Sequence, residues 1–74
     1  MSVLKVECYA GYKGNQYPIR FFLQDRVLEV REIEDQWYSP SERYFKVLAE
    51  DDNLYILCHH EDNDSWSLAA FRKN

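Results

Sequence analysis

The sequence predicts an all-β protein of about six short antiparallel strands, and two observations carry that prediction. Segments rich in β-branched and aromatic residues recur along the chain, and short polar segments separate them. Within these segments apolar residues alternate with polar ones, which is the pattern of a strand with one face on a core. The chain has 74 residues, so we expect a single small β domain over residues 1–74.

The longest segment with strand character covers residues 26–38. Apolar and charged residues alternate from Leu28 to Arg31. Glu32 then occupies the place of the next apolar residue, and Ile33 follows one step late. One extra residue in a strand is a β-bulge, and a bulge bends the strand sharply. We therefore predict a long, bent central strand that two sheets share.

Five further segments are predicted strands, at residues 3–10, 19–24, 44–49, 54–58 and 66–71. Turn residues separate the strands at 11–16, 25–26, 39–42, 51–53 and 59–65. Because consecutive strands usually pair, these segments predict an antiparallel meander. A strongly bent sheet of short strands tends to close on itself, since closure removes exposed edges. We expect the meander to close into a small SH3-like barrel.

The segment from Ser39 to Glu50 leaves an alternative open. Ser39, Pro40 and Glu42 have the spacing of a helix N-terminus with a capping box. The alternative fold is therefore α+β, with one helix at about residues 40–50. The β-branched and aromatic composition of residues 44–47 favours a strand instead.

The last predicted strand contains a conflict of phase. Trp66, Leu68 and Ala70 share one face, but the apolar Phe71 falls on the other. This arrangement requires either a bulge near the end of the strand or burial of both of its faces.

The charge and cysteine content narrow the class of protein. The formal net charge is −4, with 13 acidic and 9 basic residues, whereas nucleic-acid binders usually carry a basic excess. Two cysteines do not make a disulfide framework. Lys5 and Glu7 interrupt the first apolar segment, so it does not read as a signal peptide. No apolar segment approaches the length of a membrane span. We expect a cytoplasmic protein with reduced thiols and no membrane partner.

Core-type residues along the chain carry a resemblance to a protein family. The residues that carry it are Pro18, Ile19, Arg20, Phe21, Arg26, Val30, Glu32, Ile33, Asp35, Trp37, Arg43, Phe45, Val47, Tyr55, Leu57, Trp66 and Leu68. Over roughly residues 17–71 the chain resembles a family of short bacterial β-rich proteins of unknown function. Members of that family follow an arginine-phenylalanine strand with a valine-rich strand that ends in tryptophan. The resemblance implies an all-β fold and a bacterial, cytoplasmic origin, and it assigns no activity to any position.

The densest group of chemically active side chains lies at residues 58–62. Cys58 and His60 fall on one side of a strand, and both are metal-ligand types, so they are weak candidates for a metal site. A structural zinc site needs four ligands, and the second cysteine, Cys8, is far away in sequence. Cys58 and His60 are poorly placed to act as a nucleophile and its base, because residues two positions apart on a strand are about 7 Å apart, too far for a direct hydrogen bond. We expect Cys58 to face the core, His59 to point to the opposite side from His60, and an exposed polar turn to follow.

The remaining carboxylates suggest no catalytic site. Glu29, Glu32, Glu34 and Asp35 alternate with apolar residues and are expected on a solvated strand face. The Asp/Asn groups at 51–53 and 62–64 lack the spacing of a calcium loop and fit turns instead. We therefore expect a protein that is not an enzyme, with no cofactor and no small-molecule substrate.

Aromatic and arginine side chains are more numerous than the inner face of one small core should need. The predicted interaction surface consists of Arg20, Phe22, Trp37, Tyr38, Arg43 and Tyr44, and Tyr12 and Tyr17 are further aromatics of the same kind. Exposed aromatics with arginine mark protein interfaces. We interpret the chain as a non-enzymatic interaction module that binds a protein partner or a second copy. The alternatives are a nucleic-acid-associated barrel, since aromatics also stack on bases, a metal or thiol site at Cys58 and His60, and simple packing of both sheet faces.

Overall fold

A computed structural model describes residues 3–10 and 16–73. These residues form six strands: β1 Val3–Ala10, β2 Gln16–Leu23, β3 Arg26–Ser39, β4 Glu42–Ala49, β5 Leu54–His60 and β6 Ser65–Arg72. Each strand pairs antiparallel with the next, and β6 pairs with β1 to close a barrel. The prediction of an all-β meander of about six strands that closes into a small barrel is confirmed. Residues 11–15, where a turn and Tyr12 were predicted, lie outside the described residues.

The alternative helix at residues 40–50 is wrong. Ser39 and Glu42 are opposite each other in the β3–β4 ladder, and residues 40–41 form the turn between the strands. The Ser39 hydroxyl lies 3.4 Å from the Glu42 carboxylate. Residues three apart meet across a two-residue hairpin turn just as they do in a capping box, so the spacing alone does not distinguish the two structures. No membrane-spanning helix is found among the described residues.

The central strand β3 is bent and shared between two ladders, as predicted. Residues 26–29 pair with β2, and residues 30–39 pair with β4. The register with β4 shifts at two places, where Arg31 and then Glu34 are extra residues. Each bulge increases the local twist and bend of the strand, and together they turn β3 from one side of the barrel to the other.

A further bulge resolves the conflict of phase in β6. Ala69 is the extra residue, because Leu68 lies opposite Leu57 whereas Ala70 lies opposite Ile56. Phe71 therefore shares the inner side with Trp66 and Leu68, and Ala70 turns outward. Of the two predicted alternatives, the bulge is the one present. The expectation that Ala70 shares a face with Trp66 is wrong.

The core fills the barrel with one aromatic-rich cluster. Its buried members are Leu4, Phe21, Leu28, Phe45, Val47, Ala49, Tyr55, Leu57 and Trp66. The Phe21 and Tyr55 rings meet edge to face at 4.9 Å, and the Phe45 and Trp66 centroids are 5.7 Å apart. Large rings bury much apolar area per residue, so few of them suffice to build a core in so short a chain.

Several strands are longer than the sequence predicted. The largest difference is β2, which begins at Gln16 and contains Pro18 in its interior. Pro18 lies opposite Cys8 where the β1–β2 register shifts, and this part of β2 has no ladder with β3. Proline is tolerated at such a position because a residue at a bulge or a sheet edge does not need a backbone N–H for the ladder.

Candidate functional site

Strands β3 to β6 present one outward surface, which we call the outer face. It is built from cross-strand rows that alternate with the buried rows of the core. Three rows carry the candidate site: Ser39, Glu42, His60 and Ser65; Trp37, Tyr44, Cys58 and Ser67; and Asp35, Lys46, Ile56 and Ala70. Aromatic and chemically active side chains therefore lie on adjacent rows of one sheet.

An aromatic pair occupies the β3–β4 part of this face. The rings of Trp37 and Tyr44 are stacked, with centroids 5.5 Å apart and planes 6° apart. Trp37 keeps 39% of its surface exposed. Beside it runs a groove of about 310 Å³, which we call the outer groove, lined by Asp35, Trp37, Lys46, Leu54, Ile56, Ala70, Phe71 and Arg72. The stack fixes the indole at the wall of an apolar depression.

Two other predicted interface residues lie on the opposite side of the same strands. Tyr38 is opposite Arg43 in the ladder, and the Arg43 guanidinium lies 5.4 Å from the Tyr38 ring and 5.0 Å from the Phe45 ring. Tyr38 is 66% exposed, whereas Arg43 is half-buried and its Nε makes no hydrogen bond within residues 3–10 and 16–73. Ring contacts take the place of that bond, and the pair is separate from the outer groove.

The last two predicted interface residues lie on β2. Arg20 forms ion pairs with Glu7 and with Glu29, and the hydrogen bonds that its guanidinium donates to Glu29 and Glu7 raise the pKa of Arg20. Phe22 lies beneath the Lys5 ammonium, which is 5.2 Å from its ring centroid. The six predicted residues thus fall into three groups, and only Trp37 and Tyr44 belong to the outer face.

The polar row and the neighbouring aromatic row bring Glu42, His60 and Cys58 together. Their ligand-type atoms all lie within 4.8 Å of one another. Cys58 Sγ is 4.0 Å from His60 Nδ1, which is 3.0 Å from Glu42 Oε2. The backbone spacing made a close approach of Cys58 and His60 look awkward, but the two side chains lean toward each other. Glu42 was not predicted as a member of this group.

The register of the β4–β5 hairpin is the signal that could have revealed Glu42. The predicted turn at 51–53 is present, and Leu48 lies opposite Leu54 across it. Six residues farther from the turn on each strand, Glu42 lies opposite His60. A hairpin turn fixes every cross-strand pair on both of its strands, so the contact of Glu42 with His60 could have been derived from the position of the turn.

Burial and hydrogen bonds shift the pKa values in this cluster. The Tyr44 hydroxyl donates to Glu42 Oε1 at 2.8 Å, which lowers the pKa of Glu42 and raises the pKa of Tyr44 to about 12. Burial, and then the charge of Glu42, raise the pKa of the Cys58 thiol. A thiol with a raised pKa is a poor nucleophile near neutral pH, because the thiolate is the reactive form.

Two expectations about residues 58–65 are corrected. Cys58 does not face the core, because Leu57 and His59 take the inward positions of β5. It is nevertheless only 3% exposed on the outer face, where Tyr44 and Ser67 flank it in the ladder. His59 is buried rather than exposed: it stacks on Trp66 at 4.6 Å, and its Nε2 is 2.8 Å from Asp64 Oδ1. It does point away from His60, as predicted.

The two thiols should differ in reactivity. Both are free, and Cys8 is partly exposed whereas Cys58 is buried. In chelator-treated folded protein we expect iodoacetamide to alkylate Cys8 several-fold faster than Cys58, and in urea we expect equal rates. Peptide mass spectrometry over time measures both sites in one sample. Faster labelling of Cys58 would mean that it is an accessible thiolate, contrary to its burial.

Comparison with known proteins assigns no family. No protein-family model matches the chain, and neither a curated protein nor a solved structure matches it. The resemblance to a bacterial family of unknown function therefore stays a prediction. Function must be argued from the outer face itself.

Proposed function

We propose that the protein is a non-enzymatic interaction module that binds an extended segment of a protein partner in the outer groove. The observation that carries the proposal is the half-exposed Trp37 at the wall of this apolar groove. Tryptophan is among the residues that contribute most binding energy at protein interfaces.

The packing of the groove supports this function. Tyr44 holds the Trp37 ring from one side at 5.5 Å, so the indole is already ordered before a partner arrives. A preorganised contact residue loses little conformational entropy on binding. Leu54, Ile56 and Ala70 form an apolar floor against which a large side chain can pack.

The charges around the groove favour one chemistry of partner. Lys46 and Arg72 line it together with a single carboxylate, Asp35, so the groove is locally basic on a chain of net charge −4. A segment with a large apolar side chain flanked by carboxylates complements that pattern. Two copies of the chain repel each other through their net charge, which favours a different protein over self-association.

The other functions suggested by the sequence receive less support. Arg20, Arg26 and Arg31 each lie beside a carboxylate, so their charge is not free to neutralise phosphates. The buried Cys58 thiol, with its raised pKa, does not favour a thiol enzyme. The proposal also locates the module in the cytoplasm, where its two free thiols remain reduced.

A display experiment with random peptides tests the proposal. We expect selection on the wild-type protein to enrich peptides with a large apolar residue next to Asp or Glu. A fluorescent copy of an enriched peptide then reports affinity by anisotropy. Trp37→Ala should weaken binding by about tenfold or more, because it removes the central contact. Arg72→Glu should weaken the binding of acidic peptides, because it reverses one positive charge of the groove.

Tyr9→Ala is the matched control, since Tyr9 is an exposed aromatic on β1 that contacts Tyr17. It should bind the peptide as the wild type does. Equal affinity for the wild type and Trp37→Ala, or no enriched peptide, would contradict the proposal. Analytical ultracentrifugation tests the self-association alternative. If the wild type is a dimer and Trp37→Ala is a monomer, the occupant of the groove is a second copy of the chain.

A further inference from the structure

The cluster of Glu42, Cys58 and His60 has the donor set of a metal site. A thiol, an imidazole and a carboxylate come from two neighbouring strands that the β4–β5 ladder holds in fixed register. Thiolate, imidazole and carboxylate are all usual zinc ligands, whereas magnesium and calcium take only oxygen ligands. The residue types therefore favour zinc.

The distances between the donor atoms suit an ion of this size. At usual zinc–ligand lengths, the donors around a tetrahedral ion lie roughly 3.3–3.6 Å from one another. The separation of His60 Nδ1 and Glu42 Oε2 is 3.0 Å, and that of Cys58 Sγ and His60 Nδ1 is 4.0 Å. These two values lie on either side of the required spacing, and all three donor atoms lie within 4.8 Å of one another, so side-chain rotations that close the longer separations would bring them onto one ion.

Neighbouring side chains orient these donors. His60 Nε2 is 2.9 Å from the Ser67 hydroxyl, which leaves Nδ1 directed at the cluster. The Tyr44 and Ser39 hydroxyls both donate to Glu42 Oε1 and leave Oε2 facing His60. Metal-binding histidines and carboxylates are typically held by such outer hydrogen bonds.

The hydrogen bonds also allow a metal to replace a proton. A carboxylate only accepts, so in the neutral ring Nδ1–H donates to Glu42 and the Ser67 hydroxyl donates to Nε2. When an ion takes Nδ1, the ring proton moves to Nε2 and is donated to Ser67 Oγ. The bond between Nε2 and Ser67 Oγ is kept with its direction reversed, and the Cys58 thiol proton is released to solvent.

We propose that Glu42, Cys58 and His60 bind one zinc ion, with water as the fourth ligand. Cys58 is buried beneath the ion, while the half-buried Glu42 and His60 leave a route from solvent. The ion would join β4 to β5 next to β6. The zinc site is separate from the outer groove, although Tyr44 contacts both: its ring stacks on Trp37 and its hydroxyl donates to Glu42.

Cobalt substitution tests the site directly. We expect chelator-treated protein to bind one Co²⁺ per chain, with a thiolate-to-cobalt charge-transfer band and the visible spectrum of a tetrahedral ion. Zinc should displace the cobalt, and native mass spectrometry should give one zinc per chain. Cys58→Ser should abolish the charge-transfer band, and His60→Gln and Glu42→Gln should weaken zinc binding.

Further variants distinguish binding from a structural effect. Ser67→Ala should weaken zinc affinity by about tenfold, because it removes the partner that orients His60. Cys8→Ser removes the other cysteine and should keep the cobalt spectrum. Circular dichroism confirms that each variant is folded. The proposal is overturned if the wild type shows no thiolate band, or if folded Glu42→Gln and Ser67→Ala bind zinc as tightly as it does.

Discussion

Replacing Phe45 by alanine is expected to unfold most of the protein at room temperature. Phe45 is 0% exposed at the centre of β4, where its ring contacts Trp66. Removing a buried phenylalanine costs about 3–5 kcal/mol of stability, since the apolar contacts are lost and a cavity remains. A single core in a chain of this size supplies about the same free energy of unfolding.

Urea titration followed by circular dichroism and tryptophan fluorescence measures this loss. Phe71→Ala is the matched control, because Phe71 is 51% exposed at the end of β6 and contacts Tyr55 from one side. The same chemical change should cost well under half as much there, in proportion to the smaller buried area. A Phe45→Ala protein with a transition near that of Phe71→Ala would show that the barrel interior is not the main source of stability.

The bends of the barrel were only partly visible in the sequence. The bulge at Arg31 could be predicted because apolar residues on both sides of it mark the change of phase. The bulge at Glu34 could not, since the next residues, Asp35 and Gln36, are polar and do not mark a face. A register shift is readable only where apolar residues flank it.

The orientation of Cys58 could not be predicted from the sequence for a different reason. Apolar residues occupy both faces of β5 from Leu54 to Leu57, so either phase fits the alternation. Only the pairing of the strand with β4 and β6 decides that Leu57 and His59 turn inward. The stacking of His59 on Trp66 depends on this long-range pairing, so the residues near His59 gave no indication of its burial.

The predicted interaction surface was split by the shape of the barrel. Trp37 and Tyr44 meet because they are opposite each other in one ladder. Arg20 lies on β2, which pairs with the other half of the bent β3. Composition identified side chains that suit an interface, but the curvature of the sheet determined which of them share a surface.

Asp51→Asn is expected to lower the free energy of unfolding by about 2 kcal/mol at neutral pH, because it removes a charged acceptor from a partly buried network. Asp51 Oδ2 accepts from the Tyr55 hydroxyl at 2.7 Å, and the Asn53 backbone N–H donates to Oδ1 at 3.1 Å. Tyr55 is a fully buried core residue, so this turn anchors the base of the β4–β5 hairpin to the core. Asp52→Asn is the control, since Asp52 is exposed and pairs with Arg31 at the surface.

The effect of Asp51 should depend on pH in a defined direction. Burial opposes ionisation of Asp51, but the hydrogen bonds from Tyr55 and Asn53 outweigh it, so the pKa of Asp51 is lowered. A carboxyl group with a lowered pKa stabilises the folded state above its ordinary pKa of about 4, and this stability is lost as the pH falls through the folded-state value. The stability difference between the wild type and Asp51→Asn should therefore be constant from neutral pH down to about pH 5 and shrink below pH 4.

Urea titrations of both proteins at each pH measure that difference, and the other acidic groups cancel because both proteins contain them. Tyr55→Phe should reproduce much of the loss at neutral pH and little of it in acid, since the protonated Asp51 binds the hydroxyl less strongly. A gap that stays constant into strong acid would contradict the ionised network. A gap as large for Asp52→Asn would mean that the loss reflects the charge of the turn rather than the bond to the core.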